Sequence, residues 1–387
     1  MRLAVISHKI VWRSKFSRHE FATDGGFPAQ IEALSELFDS TRVVVPCDRK
    51  PANEGLSPVC GRRLGVVPLS VPMGSGLLRK LRFPGWLLRN GVVIWREVRR
   101  ADAVHTPIPG DVGTIGMLFA LLQKKPLFVR HCGNWFVQRT MAERFWRWMI
   151  EHFAGGRNVM FATGGAPGPP SIRNPNVEWV FSSSLRQDQL QDRPSRSLPE
   201  DGHFRIAIAC RLEPRKGADI VIQSMPMILQ EFPKATLDVI GDGSELAALR
   251  KLSESLEVGA AVQFHGKLSQ KAVLEVLQYS HVFCFPTSAS EGFPKAVLEA
   301  LAVGLPVVTT RVSVLPELIQ CGCGLLVDEP DPTKLAEAVG RLLSDGRLYS
   351  EMSLRARITA KQYSLENWQK QIGGKLRKSW SVESLAE

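Results

Sequence analysis

Glu291 and Glu299 stand with seven residues between them in "SASEGFPKAVLEALAVGLPVVTT" (288–310). Pro294 suits a first helical turn and Gly304 the residue just past a helix end, so a helix beginning near Phe293 is expected. Proline has no N–H. The amides of Phe293, Lys295 and Ala296, with the Lys295 ammonium, would therefore form an anion seat. Glu291 has a second reading, a capping box with Ser288 three residues earlier. Glu299 lies among Val297, Leu298, Ala300 and Leu301. A carboxylate buried there without a partner is costly, so it either pairs with something structural or holds a polar ligand.

Three further stretches carry polar chemistry. In "ACRLEPRKGAD" a strand ends near Cys210, and Arg211 and Lys216 follow in the loop that opens a helix. That is the edge where open α/β sheets bind ligands, and the pair offers a fork and a point charge for phosphate. A solvated basic loop is the plainer alternative. In "ATDGGFPAQIEAL", Gly25 and Gly26 precede the first long helix and would let backbone amides approach a ligand, although this is not G-x-G-x-x-G. The spacer "HKIVWRSKFSRHEFATD" is long and basic for a strand-to-helix loop. In "PLFVRHCGNW", His131 ends a strand, where it either contacts substrate or serves structure. Asp-x-Asp does not occur, and no His/Asp/Glu cluster has metal-ligand spacing. A bound diphosphate would then be neutralised by Arg211, Lys216 and helix dipoles instead of Mg²⁺, and no metal or organic cofactor is expected.

The elements that position these residues repeat strand then helix, the pattern of parallel sheets covered on both faces. "RLAVIS", "TRVVVP", "ADAVHT", "PLFVRH" and "NVMFAT" read as strands of a first domain. "FRIAIAC", "ATLDVIG", "HVFCFP", "PVVTT" and "GLLV" read as those of a second. The polar stretch 185–203 is the linker candidate. The chain thus divides into 1–184, a linker 185–203, 204–363, and a last helix in 364–387 interrupted by Gly373 and Gly374, expected to pack back towards the first domain. The fold class is α/β, two doubly wound Rossmann-like domains facing across a cleft.

These features, together and in this order, resemble the retaining, nucleotide-sugar-dependent glycosyltransferases of family four, which have the GT-B fold. The resemblance is strongest over 204–345, in "RLEPRKG", "IGDGSE", "SEGFPKAVLEALAVGLPVV" and "GLLVDEPDPTKLAEAV". It implies that Glu299 holds the nucleotide ribose and Glu291 the donor sugar. Phe293, Pro294 and Lys295 would form the diphosphate turn, with Gly241 also at the donor. Arg211 and Lys216 would neutralise the leaving diphosphate, Gly25 and Gly26 would close on it, and His131 would stand beside the reacting sugar. The co-substrate would be a UDP- or GDP-sugar, the acceptor a glycan or lipid-linked molecule on the first domain. Two departures stand out: "RVSVLPEL" follows "VVTT" where the family often has a Gly-Gly turn, and "FATGGAPGPPSIRNPNVEWVFSSS" replaces a Pro-Asn-Gly segment.

Charge is unevenly spread along the chain. Residues 1–200 hold 28 basic and 16 acidic side chains, a balance of +12, while 201–350 hold 14 and 18, giving −4. The basic excess gathers with tryptophan in 77–100 and 135–157, a composition typical of helices resting on anionic bilayers, although the aromatics could equally fill a core. Nucleic acid is not an expected partner, since no recognised RNA or DNA motif is present. No apolar run reaches the ~18 residues of a membrane span, and the start does not read as a signal peptide. Seven scattered cysteines give no disulfide framework. A cytoplasmic protein, peripheral on the inner face of the cytoplasmic membrane, is the expectation. The competing view is a non-catalytic sugar-nucleotide-binding subunit of a polysaccharide assembly complex.

Overall fold

In the computed structural model the apolar runs become parallel strands covered on both faces. The structure describes residues 1–14, 20–48, 56–72, 76–138, 140–166, 168–190, 196–289 and 292–381, with the backbone alone for 76–80. Contacts divide the chain into two units: Met1–Ser184 with Leu365–Glu387, and Leu185–Ser364.

The first unit runs β1 (Arg2–Ile6), β2 (Val11–Arg13), β3 (Phe21–Thr23), α1 (Phe27–Glu36), β4 (Ser40–Asp48), β5 (Ser57–Pro58), β6 (Leu64–Leu69) and α2 (Gly76–Arg100). It continues with β7 (Ala103–Ile108), α3 (Asp111–Leu122), β8 (Leu127–His131), α4 (Met141–Phe153), β9 (Asn158–Thr163) and β10 (Val177–Val180). The sheet has the order β10-β9-β8-β7-β1-β4-β2-β3-β5, with β6 also on β4. Alternation within β1 feeds two layers. Leu3 and Val5 pack with Ile31 and Leu34 of α1, whereas Ala4 and Ile6 pack with Ile94 of α2, Val112 of α3 and Ile150 of α4. The basic spacer after β1 is not one loop, because β2 and β3 pair antiparallel within it and β2 also joins β4.

The second unit runs β11 (Arg205–Ala209), α5 (Ala218–Glu231), β12 (Thr236–Ile240), α6 (Leu246–Ser255), β13 (Val262–Gly266), α7 (Gln270–Tyr279) and β14 (Val282–Phe285). It continues with α8 (Lys295–Ala302), β15 (Val307–Thr310), α9 (Leu315–Ile319), β16 (Gly324–Val327), α10 (Pro332–Ser344) and α11 (Gly346–Gln362). All six strands are parallel, in the order β13-β12-β11-β14-β15-β16. The order reverses between β11 and β14, and a crevice opens outside the carboxyl ends of such a pair.

Part of the polar stretch 185–203 is not a free linker. Leu185 and Leu190 are buried in the second unit, and Arg196 donates to the carbonyls of Leu277 and Gln278 at 3.3 and 2.7 Å. The last helix, α12 (Leu365–Trp380), runs unbroken through Gly373 and Gly374 and belongs to the first unit. Its apolar stripe of Leu365, Trp368, Ile372, Leu376 and Trp380 is buried there, worth about 2 kcal/mol per large side chain. A Cβ at Gly373 would stand 3.1 Å from Leu37, so the glycine serves close packing against the end of α1.

Candidate functional site

In the second unit the two loops at the reversal point are tied to one another. After β11 the chain turns through Arg215, whose φ of 70° places it in the left-handed region, and Gly217, with φ 90°. A Cβ at Gly217 would lie 2.6 Å from the Pro286 carbonyl oxygen, so only glycine lets this loop pass the end of β14. The Arg215 carbonyl accepts from the amides of Ser288 and Ala289 at 3.0 and 3.2 Å and from Thr287 Oγ1 at 3.0 Å. Its guanidinium donates to the Ser288 carbonyl at 2.8 Å and to Ser288 Oγ at 3.2 Å. Lys216, partly buried, follows directly. Arg211 is exposed and pairs with Glu213 at 2.8 Å. Gly241, at the end of β12, has φ 141°, and a Cβ there would meet the Cys210 carbonyl oxygen at 1.8 Å. It therefore lets the loops after β11 and β12 close on each other.

The helix after β14 begins two residues beyond Phe293, where the sequence implies its start. Pro294 is its N-cap, with extended ψ of 96°, and Lys295 is the first helical residue, so Phe293 and Pro294 stand outside it. The first intrahelical bond is donated by Leu298 to the Pro294 carbonyl at 3.3 Å. Phe293 packs on Tyr363 at 5.5 Å. Glu291, together with Ser290, lies outside the described residues. Gly304 has φ 80° just past the helix end, as its position implies.

Glu299 is partnered. Its Oε1 accepts from Gln270 Nε2 of α7 at 2.9 Å, and Lys295 lies one turn earlier on the same helix. Burial raises its pKa; the Gln270 bond and the Lys295 charge act the other way. Chemically, the crevice end offers a helix start bearing Lys295, suited to phosphate, one turn before a carboxyl suited to hydroxyls. Beyond β15, Ser313 takes φ 55°, so a serine makes the left-handed turn where a Gly-Gly was absent. Thr310 Oγ1 donates to the Thr287 carbonyl, and Thr309 Oγ1 to that of Phe285 at 2.7 Å, fixing β15 on β14.

In the first unit, His131 ends β8, buried, with its ring edge-on to Trp135 at 5.3 Å. Burial lowers its pKa to about 4, so the imidazole is neutral at pH 7. Gly25 has φ 70° with open space where a Cβ would stand, and Gly26 is the N-cap of α1. Asp24 beside them pairs with Lys9. One buried chain links these places: Arg130 donates to Gln30 Oε1 at 2.8 Å and stacks on Trp368, while Gln30 Nε2 reaches Ser182 Oγ and the Ser183 carbonyl, both at 2.9 Å.

Arg215, Gln270, Gln30 and Trp135 are residues the sequence alone did not single out. Arg215 sits one place before Lys216 within "RLEPRKG", whereas Gln270 meets Glu299 across 29 positions and leaves no local signal. Among the described residues no group of three His, Cys, Asp or Glu could hold a metal ion, and no helix is long and apolar enough to cross a membrane.

Residues 190–359 match the family "Glycosyl transferases group 1". The chain is 34% identical over 175 residues to a D-inositol 3-phosphate glycosyltransferase of Corynebacterium urealyticum, covering 43% of this chain and 41% of that one. It is also 34% identical over 146 residues to a GDP-mannose-dependent monoacylated alpha-(1-6)-phosphatidylinositol monomannoside mannosyltransferase of Corynebacterium glutamicum, covering 36% of this chain and 38% of the relative. The chain thus spans about two fifths of the length of the curated relatives it matches. Over nearly the whole chain the fold is that of Anabaena Alr3699/HepE solved with UDP and glucose (TM-score 0.70, 15% identity, 97% of this chain and 98% of that one).

Proposed function

We propose that this chain, a group 1 glycosyl transferase in residues 190–359 and of the GT-B fold, moves a sugar from a nucleotide-diphosphate donor to a lipid-linked or glycan acceptor with retained anomeric configuration. The observation that carries the reading is the reversal point of the second unit. There the loop that carries Lys216 is tied through Arg215 to residues 287–289, and Lys295 opens α8 one turn before Glu299, whose pKa burial raises. The names of the two corynebacterial relatives, both acting on inositol-containing acceptors, favour a phosphate-bearing acceptor.

In this reading Glu299 accepts from the ribose hydroxyls. The diphosphate sits on the amides of the α8 start and is neutralised by Arg211, Lys216 and Lys295 without Mg²⁺. As the glycosyl–phosphate bond breaks, its electron pair leaves on the β-phosphate oxygen, and these cations stabilise the charge that develops. The acceptor oxygen bonds the anomeric carbon on the face the phosphate leaves, and its proton passes to that phosphate. Neutral His131 serves as a hydrogen-bonding partner for the sugar, since its pKa of about 4 unfits it for a base near pH 7. Glu291 would grip the donor sugar, and Gly25 and Gly26 would close on the diphosphate. The enzyme would work at the inner face of the cytoplasmic membrane, in cell-surface polysaccharide or glycolipid synthesis.

A panel of UDP- and GDP-sugars with lipid extracts, followed by nucleoside diphosphate release and mass analysis of products, tests the reading. Release should appear with one donor and vanish in Lys216→Ala and Glu299→Ala, both still folded. Tight donor binding without release under any acceptor would instead favour the non-catalytic subunit.

A further inference from the structure

We propose that a pocket of the first unit beside Trp135 holds the phosphate-bearing head of an acceptor lipid seated in the bilayer. The inference rests on the transferase reading for the lipid's role as acceptor, but not for its binding. The pocket, about 710 Å³, lies between α4 and residues 168–173, the latter within the stretch that departs from the resembling family.

Its walls are aromatic and ordered. Phe136 stacks on Trp179 at 5.3 Å, and Trp179 Nε1 donates to the Gly168 carbonyl at 2.7 Å. Buried Trp135 donates to the Pro170 carbonyl at 2.6 Å. Arg147 stacks over Trp135 at 5.1 Å, and its guanidinium is spent on Glu151 at 3.0 Å and on the Trp135 carbonyl at 3.2 Å. Glu151 also accepts from Ser171 Oγ at 2.9 Å, so the one carboxylate lining the pocket among the described residues is already engaged. Arg144 is exposed, and Arg173, 83% exposed, stands 3.9 Å from Glu151. The lining therefore carries a surplus of positive charge, which selects an anionic head.

The rim says where that head comes from. Of the lining residues Trp148 is 49% exposed and Ile172 96%; Phe145 stacks on Trp148 at 6.1 Å, and Met141 and Val137, close by in sequence, are exposed too. An arginine-bearing pocket ringed by outward apolar and aromatic side chains is built to enter an interface, not to face water. The same helical layer carries exposed Leu88 and Val92 on α2 and Leu122 on α3, flanked by Arg89 and Arg96. Arg139 and the side chains of 77–80 lie outside the described residues. Trp135 touches both the pocket and His131, so a head held here stands one ring away from the candidate catalytic histidine.

The test is flotation of the full chain with vesicles of phosphatidylcholine alone or mixed with phosphatidylglycerol. Mixed vesicles should be bound at least about tenfold more tightly, and Arg144→Gln/Arg173→Gln should lose that preference by a similar factor, with near-UV circular dichroism confirming its fold. Equal binding to both vesicles, or wild-type flotation of the double variant, overturns the proposal. So does loss of flotation confined to Leu88→Ser/Val92→Ser, which would place the contact on α2. Inorganic phosphate that quenches pocket tryptophans with the same arginine dependence, in a protein that does not float, would make the ligand a soluble anion and also overturn it. Thermal shift with UDP and GDP, read without vesicles, reports on the donor site separately. Flotation without a nucleotide shift leaves the pocket standing and removes the transferase reading; the converse removes only the pocket.

Discussion

Gln270 and Glu299 join two helices of the second unit by one hydrogen bond of 2.9 Å, which opposes the rise that burial imposes on the Glu299 pKa. Because that pKa is raised, the folded chain keeps this proton over a range of pH where the unfolded chain has released it. Stability therefore falls as pH rises through that window, and the cost is fully present above the folded pKa. Glu299→Gln removes the cost. It should raise the melting temperature at pH 8, by about 2–4 °C for each kcal/mol relieved, and change it little at pH below the usual glutamate range. The same variant should lose donor turnover. A lower melting point at pH 8 would contradict the burial argument. Gln270→Ala should shift the acidic limb of the activity profile to higher pH, since the bond it removes lowers the pKa.

Arg215 should act on donor affinity through position. It holds the 286–289 loop by its carbonyl and its guanidinium, and that loop leads into α8. Arg215→Ala should raise KM for the donor about tenfold, the worth of one charge-assisted hydrogen bond, with a smaller effect on kcat. Arg215→Lys should not rescue it, because an ammonium cannot reproduce the fork that spans the Ser288 carbonyl and hydroxyl. An unchanged KM in the alanine variant would show that the two loops hold together without it.

The sheet and the ends of its strands were legible because parallel strands buried on both faces write themselves as continuous apolar runs, as in "RLAVI" and "RIAIA". Gly304 was legible as well, since the residue just past a helix end takes the left-handed conformation that glycine adopts freely, whereas the close approach of Gly241 to the Cys210 carbonyl shows only in the structure. What the sequence hid was partnership. An apolar helix announces that Glu299 needs an explanation but not that Gln270 supplies part of it, because α7 and α8 meet only in three dimensions. The start of α8 departs from the proline rule, because Pro294 takes an extended ψ of 96° and stands at the N-cap instead of in the first turn. The break expected at Gly373 and Gly374 failed because tertiary burial of the α12 stripe outweighs the propensity cost of two glycines.

Metal dependence follows from how the diphosphate is held. With Arg211, Lys216 and Lys295 taking the charge, excess EDTA should leave turnover intact, and added Mg²⁺ should not raise it. Lys216→Ala should then lose activity that Mg²⁺ does not restore. Loss of turnover on chelation, recovered with a divalent ion, would return the leaving-group chemistry to a metal.

His131 on β8 and His105 on the adjacent β7 make the first unit acid-sensitive in a defined window. Burial lowers the pKa of His131 to about 4 and that of His105, stacked on Phe128 at 4.1 Å, to about 3. In the unfolded chain both bind a proton near pH 6.5, so the unfolded state gains protons first as pH falls. Stability is therefore complete above about pH 6.5 and is lost progressively towards pH 4 and below, on the order of 3 kcal/mol for His131 alone. His105→Gln should flatten this loss in chemical unfolding followed at pH 7, 6, 5 and 4. His131→Gln should do the same and, unlike His105→Gln, should lower kcat while leaving the pH–rate profile between 6 and 8 with the shape it has in the parent chain. A limb near pH 6.5 that disappears in His131→Gln would make His131 a titrating base and overturn its role as a neutral hydrogen-bonding partner.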